Sequence, residues 1–77
     1  MNNRQLKKFI DRTLGKNIKN FRLDIGFSQE YVAKKMEISL KKYKKLEKGY
    51  FSLTVLHLFY LREIFNIPVY IICEGLD

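Results

Sequence analysis

An all-α fold of short helices is predicted for this 77-residue chain, and three features predict it. From Leu6 to Ile25, apolar residues recur three and four positions apart. That is the period of a helix face and not of a strand. Ser28 and Ser39 each stand immediately before a further amphipathic run. A serine oxygen there can accept from the backbone N–H groups that a helix start leaves unpaired. Gly26 and Gly49 follow such runs, where glycine commonly closes a helix.

The first element carries the stripe Leu6, Ile10, Leu14, Ile18, Phe21 and Ile25, broadened by Phe9. Arg4, Lys7, Lys8, Arg12, Lys16 and Lys19 fill most of its other faces. Gly15 interrupts the pattern. It is tolerated inside one long helix at about 1 kcal/mol relative to alanine, or it divides two helices. The second and third elements span about Gln29–Glu37 and Leu40–Lys48. Each cap is bracketed by apolar residues at hydrophobic-staple spacing, Phe27 with Val32 and Ile38 with Tyr43. Val32, Ala33 and Met36 share one helical face, and Tyr43 and Leu46 another. Ala33 is small enough for a crossing helix to approach closely.

Tyr50 and Phe51 sit in the next loop, where large aromatics either tuck against the core or face a partner. Ser52 is the next cap expected, opening a helix over Leu53–Asn66. That segment is apolar in nearly every direction. Such a helix needs cover on two sides, from the core and from either the N-terminal helix or a second subunit. Pro68 suits a first helical position and opens a last helix over Val69–Glu74.

A formal charge of +7 and a pI near 9.7 point to a polyanionic partner. Seven of the fifteen cationic side chains fall between the two serine caps and Gly49: Lys34, Lys35, Lys41, Lys42, Lys44, Lys45 and Lys48. A solvated face is one reading of these lysines, and a nucleic-acid surface is the other. Their coincidence with two short, tightly joined helices favours the second. Enzyme chemistry finds no support. His57 is the only histidine, and Cys73, the only cysteine, has no partner at metal-ligand spacing. No glycine-rich phosphate loop or nucleophile elbow is present. Asp11, Asp24 and Glu30 read as surface or cap charges. No cofactor and no metal are expected. His57, Arg62, Glu63, Asn66 and Pro68 interrupt the apolar run from Leu53 to Cys73, which argues against a membrane span. The N-terminus lacks the apolar stretch of a signal peptide, and a lone cysteine suits a reducing cytoplasm.

Arg22, Ser28-Gln29, Val32-Ala33, Leu46-Glu47 and Gly49 carry a resemblance. Residues from about Leu14 to Gly75 are similar to the lambda-repressor-like helix-turn-helix family, the Cro and phage-repressor type. The resemblance implies a single compact five-helix domain over residues 1–77. Residues 1–14 would be an added N-terminal helical segment, 28–49 the helix-turn-helix, and 53–77 the C-terminal helices. Family members often carry a glycine just before their first helix, so a break or bend near Gly15 is expected. Arg22 and Glu47 should pair as a structural salt bridge. Glu37 stands where the family often has glycine, because the backbone there takes positive φ. Tyr43 replaces a smaller aliphatic residue and needs a partner for its hydroxyl if buried.

The resemblance also implies double-stranded DNA as the partner. The helix beginning at Ser39 would enter the major groove, with Leu40, Lys41, Lys42, Lys44, Lys45 and Lys48 toward the duplex. Gln29 would contact a phosphate, and Lys34 or Lys35 would lie nearer the flanking backbone. This helix contains no Arg, Gln or Asn, the residues suited to bidentate base contacts. A large phosphate share and loose direct readout are therefore expected. The implied function is a cytoplasmic, homodimeric transcriptional regulator of prokaryotic or phage type, with repression the family habit. Its dimer interface would include Tyr60, Val69, Ile71, Ile72 and Leu76. The alternative is a protein-interaction module on the same scaffold, antitoxin-like or a phage factor binding a host protein.

Overall fold

In the computed structural model, which describes residues 1–76, the helical stripe from Leu6 to Ile25 belongs to one uninterrupted helix, α1 (Asn3–Ile25). Asn2 caps its start. The Asn2 carboxamide accepts from the Gln5 backbone N–H at 2.8 Å, and the Gln5 side chain accepts from the Asn2 N–H at 3.0 Å. Gly26 closes it in the left-handed conformation, φ 90°. The expected break near Gly15 is absent, and residues 1–14 are not a separate helix. Gly15 is buried where α1 crosses the third helix. A β-carbon there would overlap the Leu46 carbonyl oxygen and lie 3.0 Å from that of Glu47. The glycine is a notch that lets two backbones touch, and not a hinge.

Four shorter helices follow: α2 (Gln29–Lys35), α3 (Leu40–Glu47), α4 (Val55–Phe65) and α5 (Val69–Ile72). No strand occurs among the described residues. Ser28 and Ser39 cap α2 and α3 as expected, accepting from the backbone N–H of Tyr31 at 3.0 Å and of Lys42 at 3.1 Å. Glu37 lies in the turn between them at φ 60°, so a glutamate occupies the left-handed position that the resemblance assigns to glycine. α2 accordingly stops two residues short of Glu37.

α4 begins later than expected. Thr54, and not Ser52, is its cap: the Thr54 hydroxyl accepts from the His57 N–H, and His57 Nδ1 accepts from the Thr54 N–H, both at 3.1 Å. Ser52 is otherwise engaged. Its hydroxyl donates to Asp11 Oδ2 at 2.9 Å, and Lys7 Nζ reaches the same oxygen at 3.0 Å. Asp11, expected at the surface, is buried in α1 and takes these two donors because a buried carboxylate needs partners. Pro68 precedes α5 as its cap residue, with extended ψ, instead of opening the helix, and α5 ends at Ile72.

The core comprises Leu14, Ile18, Val32, Ala33, Met36, Tyr43, Leu46, Leu61, Phe65 and Ile72. All five helices contribute. α1 spans the long dimension of the molecule and packs against α3, α4 and α5. Asn17 fastens the chain's last turn to it, donating to the carbonyls of Ile72 and Glu74 at 2.8 Å each.

Candidate nucleic-acid interface

One carboxylate links α1, α2 and α3 through hydrogen bonds. Glu47, near the end of α3, has its side chain 4% exposed, and Arg22 of α1 is 11% exposed. Arg22 Nε donates to Glu47 Oε2 at 2.6 Å, and a second guanidinium nitrogen donates to Oε1 at 3.1 Å. This is the bidentate geometry that suits a guanidinium. The Gln29 amide of α2 donates to Oε1 at 3.1 Å, and the Tyr43 hydroxyl donates to Oε2 at 2.5 Å. Arg22 also reaches the Phe27 carbonyl at 3.1 Å, which ties the loop before α2 to the same centre. The fully buried Tyr43 thereby finds the hydroxyl partner it requires.

The charges respond accordingly. Burial alone would raise the Glu47 carboxyl, but hydrogen bonds from Arg22, Tyr43 and Gln29 outweigh it and hold the group below the usual carboxylate range. The hydrogen bond to Glu47 raises Arg22 further despite desolvation. Burial, reinforced by the bond to Glu47, pushes the Tyr43 phenol well above its ordinary range. The family resemblance implied the Arg22–Glu47 pair but not the two further donors, Gln29 and Tyr43. Tyr43 and Glu47 stand four residues apart on one helix, a signal that was available.

Around this anchor the lysines point outward. Lys34, Lys35, Lys41, Lys42, Lys44, Lys45 and Lys48 are all exposed, and none has a salt-bridge partner among the described residues. Lys35 lies over the Tyr31 ring at 5.6 Å. Ser39 is exposed but its oxygen is used in capping, and Leu40 is half-buried. Gln29 is half-buried and spends one N–H on Glu47. Lys44 and Lys48, one turn apart, border a cleft of about 370 Å³ that Arg22, Gln29, Glu47 and Lys19 of α1 also line. Lys19 was not among the residues expected to act here.

The C-terminal residues expected at a dimer interface are placed unevenly. Ile72 is fully buried within the monomer core, so its apolar character serves the fold of one subunit. Tyr60, Val69, Ile71 and Leu76 are half-buried, and the Tyr60 hydroxyl donates to Glu37 at 3.3 Å. The larger exposed apolar side chains nearby are Val55 at 70%, Leu56 at 58%, Phe59 at 45% and Tyr70 at 74%. The loop aromatics divide, Phe51 packing on the core and Tyr50 facing outward.

A capped helix pair of this geometry, with one helix presenting an unpaired basic face, defines a DNA-binding helix-turn-helix domain. The family model described as Helix-turn-helix matches residues 18–72, and the chain belongs to that family of DNA-binding domains, of Cro/C1 type. No curated protein matches the chain. No helix among the described residues is long and apolar enough to cross a membrane.

Proposed function

We propose that this protein is a transcriptional regulator of prokaryotic or phage type that binds duplex DNA as a cytoplasmic homodimer and represses by occupying its site. The observation that carries this reading is the set of seven exposed lysines without ion-pair partners on α2 and α3. In this reading α3 lies in the major groove with Lys41 and Lys45 toward the duplex and Lys42, Lys44 and Lys48 at its sides. Lys34 sits nearer the flanking backbone. Gln29 and the N-terminus of α3 at Ser39 receive phosphate oxygens. Leu40 touches a thymine methyl. Lysine is a compact, flexible charge, so most of the affinity goes to phosphates and sequence preference is modest. Homodimerisation uses the apolar surface of α4 and α5, where Phe59 and Tyr70 join Tyr60, Val69, Ile71 and Leu76.

Selection of bound fragments from random duplex DNA tests the reading, with enrichment of a palindrome expected. Lys41→Ala and Lys45→Ala should each weaken binding and flatten the salt dependence by about 0.9 for each phosphate no longer neutralised. Stability should stay within about 0.5 kcal/mol of the parent, because both side chains are exposed. A folded double variant with unchanged affinity would remove α3 from the groove. The outward Tyr50, 69% exposed, favours a second reading, a module that binds a protein. That reading expects weak, sequence-blind duplex binding and loss of a protein partner in the same double variant.

A further inference from the structure

The basic surface does not end with α3. Lys8, Arg12 and Lys19 lie four and seven residues apart along α1, so they share one helical face, and Lys16 borders it. All four are exposed, and none has a salt-bridge partner among the described residues. Two contacts place this face beside α3. Gly49, just past the end of α3, has no side chain where Arg12 crosses it, since a β-carbon would lie 2.6 Å from Arg12 Cγ. Lys19 shares the cleft of about 370 Å³ with Lys44 and Lys48. The other charges lining that cleft are Arg22 and Glu47, which neutralise each other. Three lysines therefore line one cleft, and among the described residues the only anion lining it is Glu47, already paired with Arg22.

We infer that the Lys8–Arg12–Lys16–Lys19 ridge of α1, continuous with Lys44 and Lys48, is a second DNA-backbone surface that holds phosphates flanking the groove α3 enters. From Lys8 to Lys19 the ridge runs about 16 Å at 1.5 Å per residue. A strand of B-DNA advances about 3.4 Å per phosphate, so a track of that length meets several in succession. The contact is with charge and not with bases. It enlarges the footprint and the salt dependence and leaves sequence preference untouched. The inference rests on the assignment of α3 to the groove, and its test separates the two.

The variant is Lys8→Gln/Lys16→Gln/Lys19→Gln, which leaves Arg12 in place because it packs on Gly49. Binding is titrated against salt on two duplexes. One ends at the last base pair protected around α3, and the other extends one helical turn, about 10 base pairs, beyond it. On the extended duplex the variant should lose about two to three units of salt slope. On the short duplex it should lose no more than the single unit that Lys19, beside Lys44 and Lys48, accounts for. Lys8→Arg/Lys16→Arg/Lys19→Arg should restore the parent slope, which separates removal of charge from altered folding. An unchanged slope on the extended duplex overturns the ridge while leaving α3 in place, provided Lys41→Ala/Lys45→Ala still weakens both duplexes. Equal loss on both lengths also overturns it as a flanking surface. A parent that binds neither duplex overturns the functional reading, and the ridge with it.

Discussion

Glu47 is one carboxylate with four donors from three helices, and its removal leaves each of them changed. Arg22, Gln29 and Tyr43 all lose an acceptor at once, and the guanidinium is left buried without a counter-charge. Glu47→Ala should cost about 3–5 kcal/mol, the scale for breaking a buried pair on one side. That is a large part of the about 5–15 kcal/mol that holds a small domain together. Chemical denaturation measures it, and a curve superimposable on the parent's would refute it. Acid supplies an independent arm. An unfolded glutamate titrates near about 4.3, whereas the folded Glu47 titrates lower. Its contribution is complete above the unfolded value and fades as pH falls through the folded one. Acidification below about pH 4.3 should therefore destabilise the parent more than Glu47→Gln. Equal acid sensitivity of the two proteins would show that other carboxylates dominate.

At the scale of elements, the crossing of α1 and α3 depends on Gly15. Helix propensity alone makes Gly15→Ala stabilising by about 1 kcal/mol. The overlap of the new β-carbon with the Leu46 carbonyl reverses the sign, because backbone cannot move aside as a flexible side chain would. A net loss of about 1–3 kcal/mol is expected, the scale of overpacking a filled site. A thermal melt at or above the parent's would show that the helices can part without loss. This position marks where sequence reading stops. The helical periods and the serine caps of α2 and α3 were legible because each is decided within a few residues, whereas the left-handed Glu37 was implied only by the family resemblance. The continuity of α1 was not, since the notch at Gly15 is defined by a helix far along the chain. The cap of α4, expected at Ser52, was misplaced for a similar reason. Ser52 and Thr54 are both good caps, and the buried carboxylate of Asp11 claims the serine. In the basic site, the lysines of α3 could be picked from sequence, while the place of Lys19 beside them follows only from the crossing.

For the molecule as a whole, α4 has apolar surface to spare, as α1 has at Leu6, Phe9, Leu23 and Ile25. In α4, Leu61 and Phe65 enter the core, while Val55, Leu56 and Phe59 remain uncovered. α1 covers part of α4 without reaching that face, which leaves a second subunit as the remaining cover foreseen for it. Sedimentation at micromolar concentration should give a dimer, with recognition helices about 34 Å apart, one turn of DNA. Phe59→Glu should return it to monomers that stay folded, because the side chain is exposed in the single subunit. A parent that sediments as a monomer would exclude this assembly. Five positions of the described chain take positive φ: Gly26, Glu37, Gly49, Asn66 and Gly75. Four of them carry glycine or asparagine, and only Glu37 bears a side chain ill suited to it, at about 1–2 kcal/mol. In a domain of this size about 1 kcal/mol shifts the melting temperature by roughly 4–8 °C. The turn between α2 and α3 thus withholds several degrees of heat tolerance that a single codon could restore.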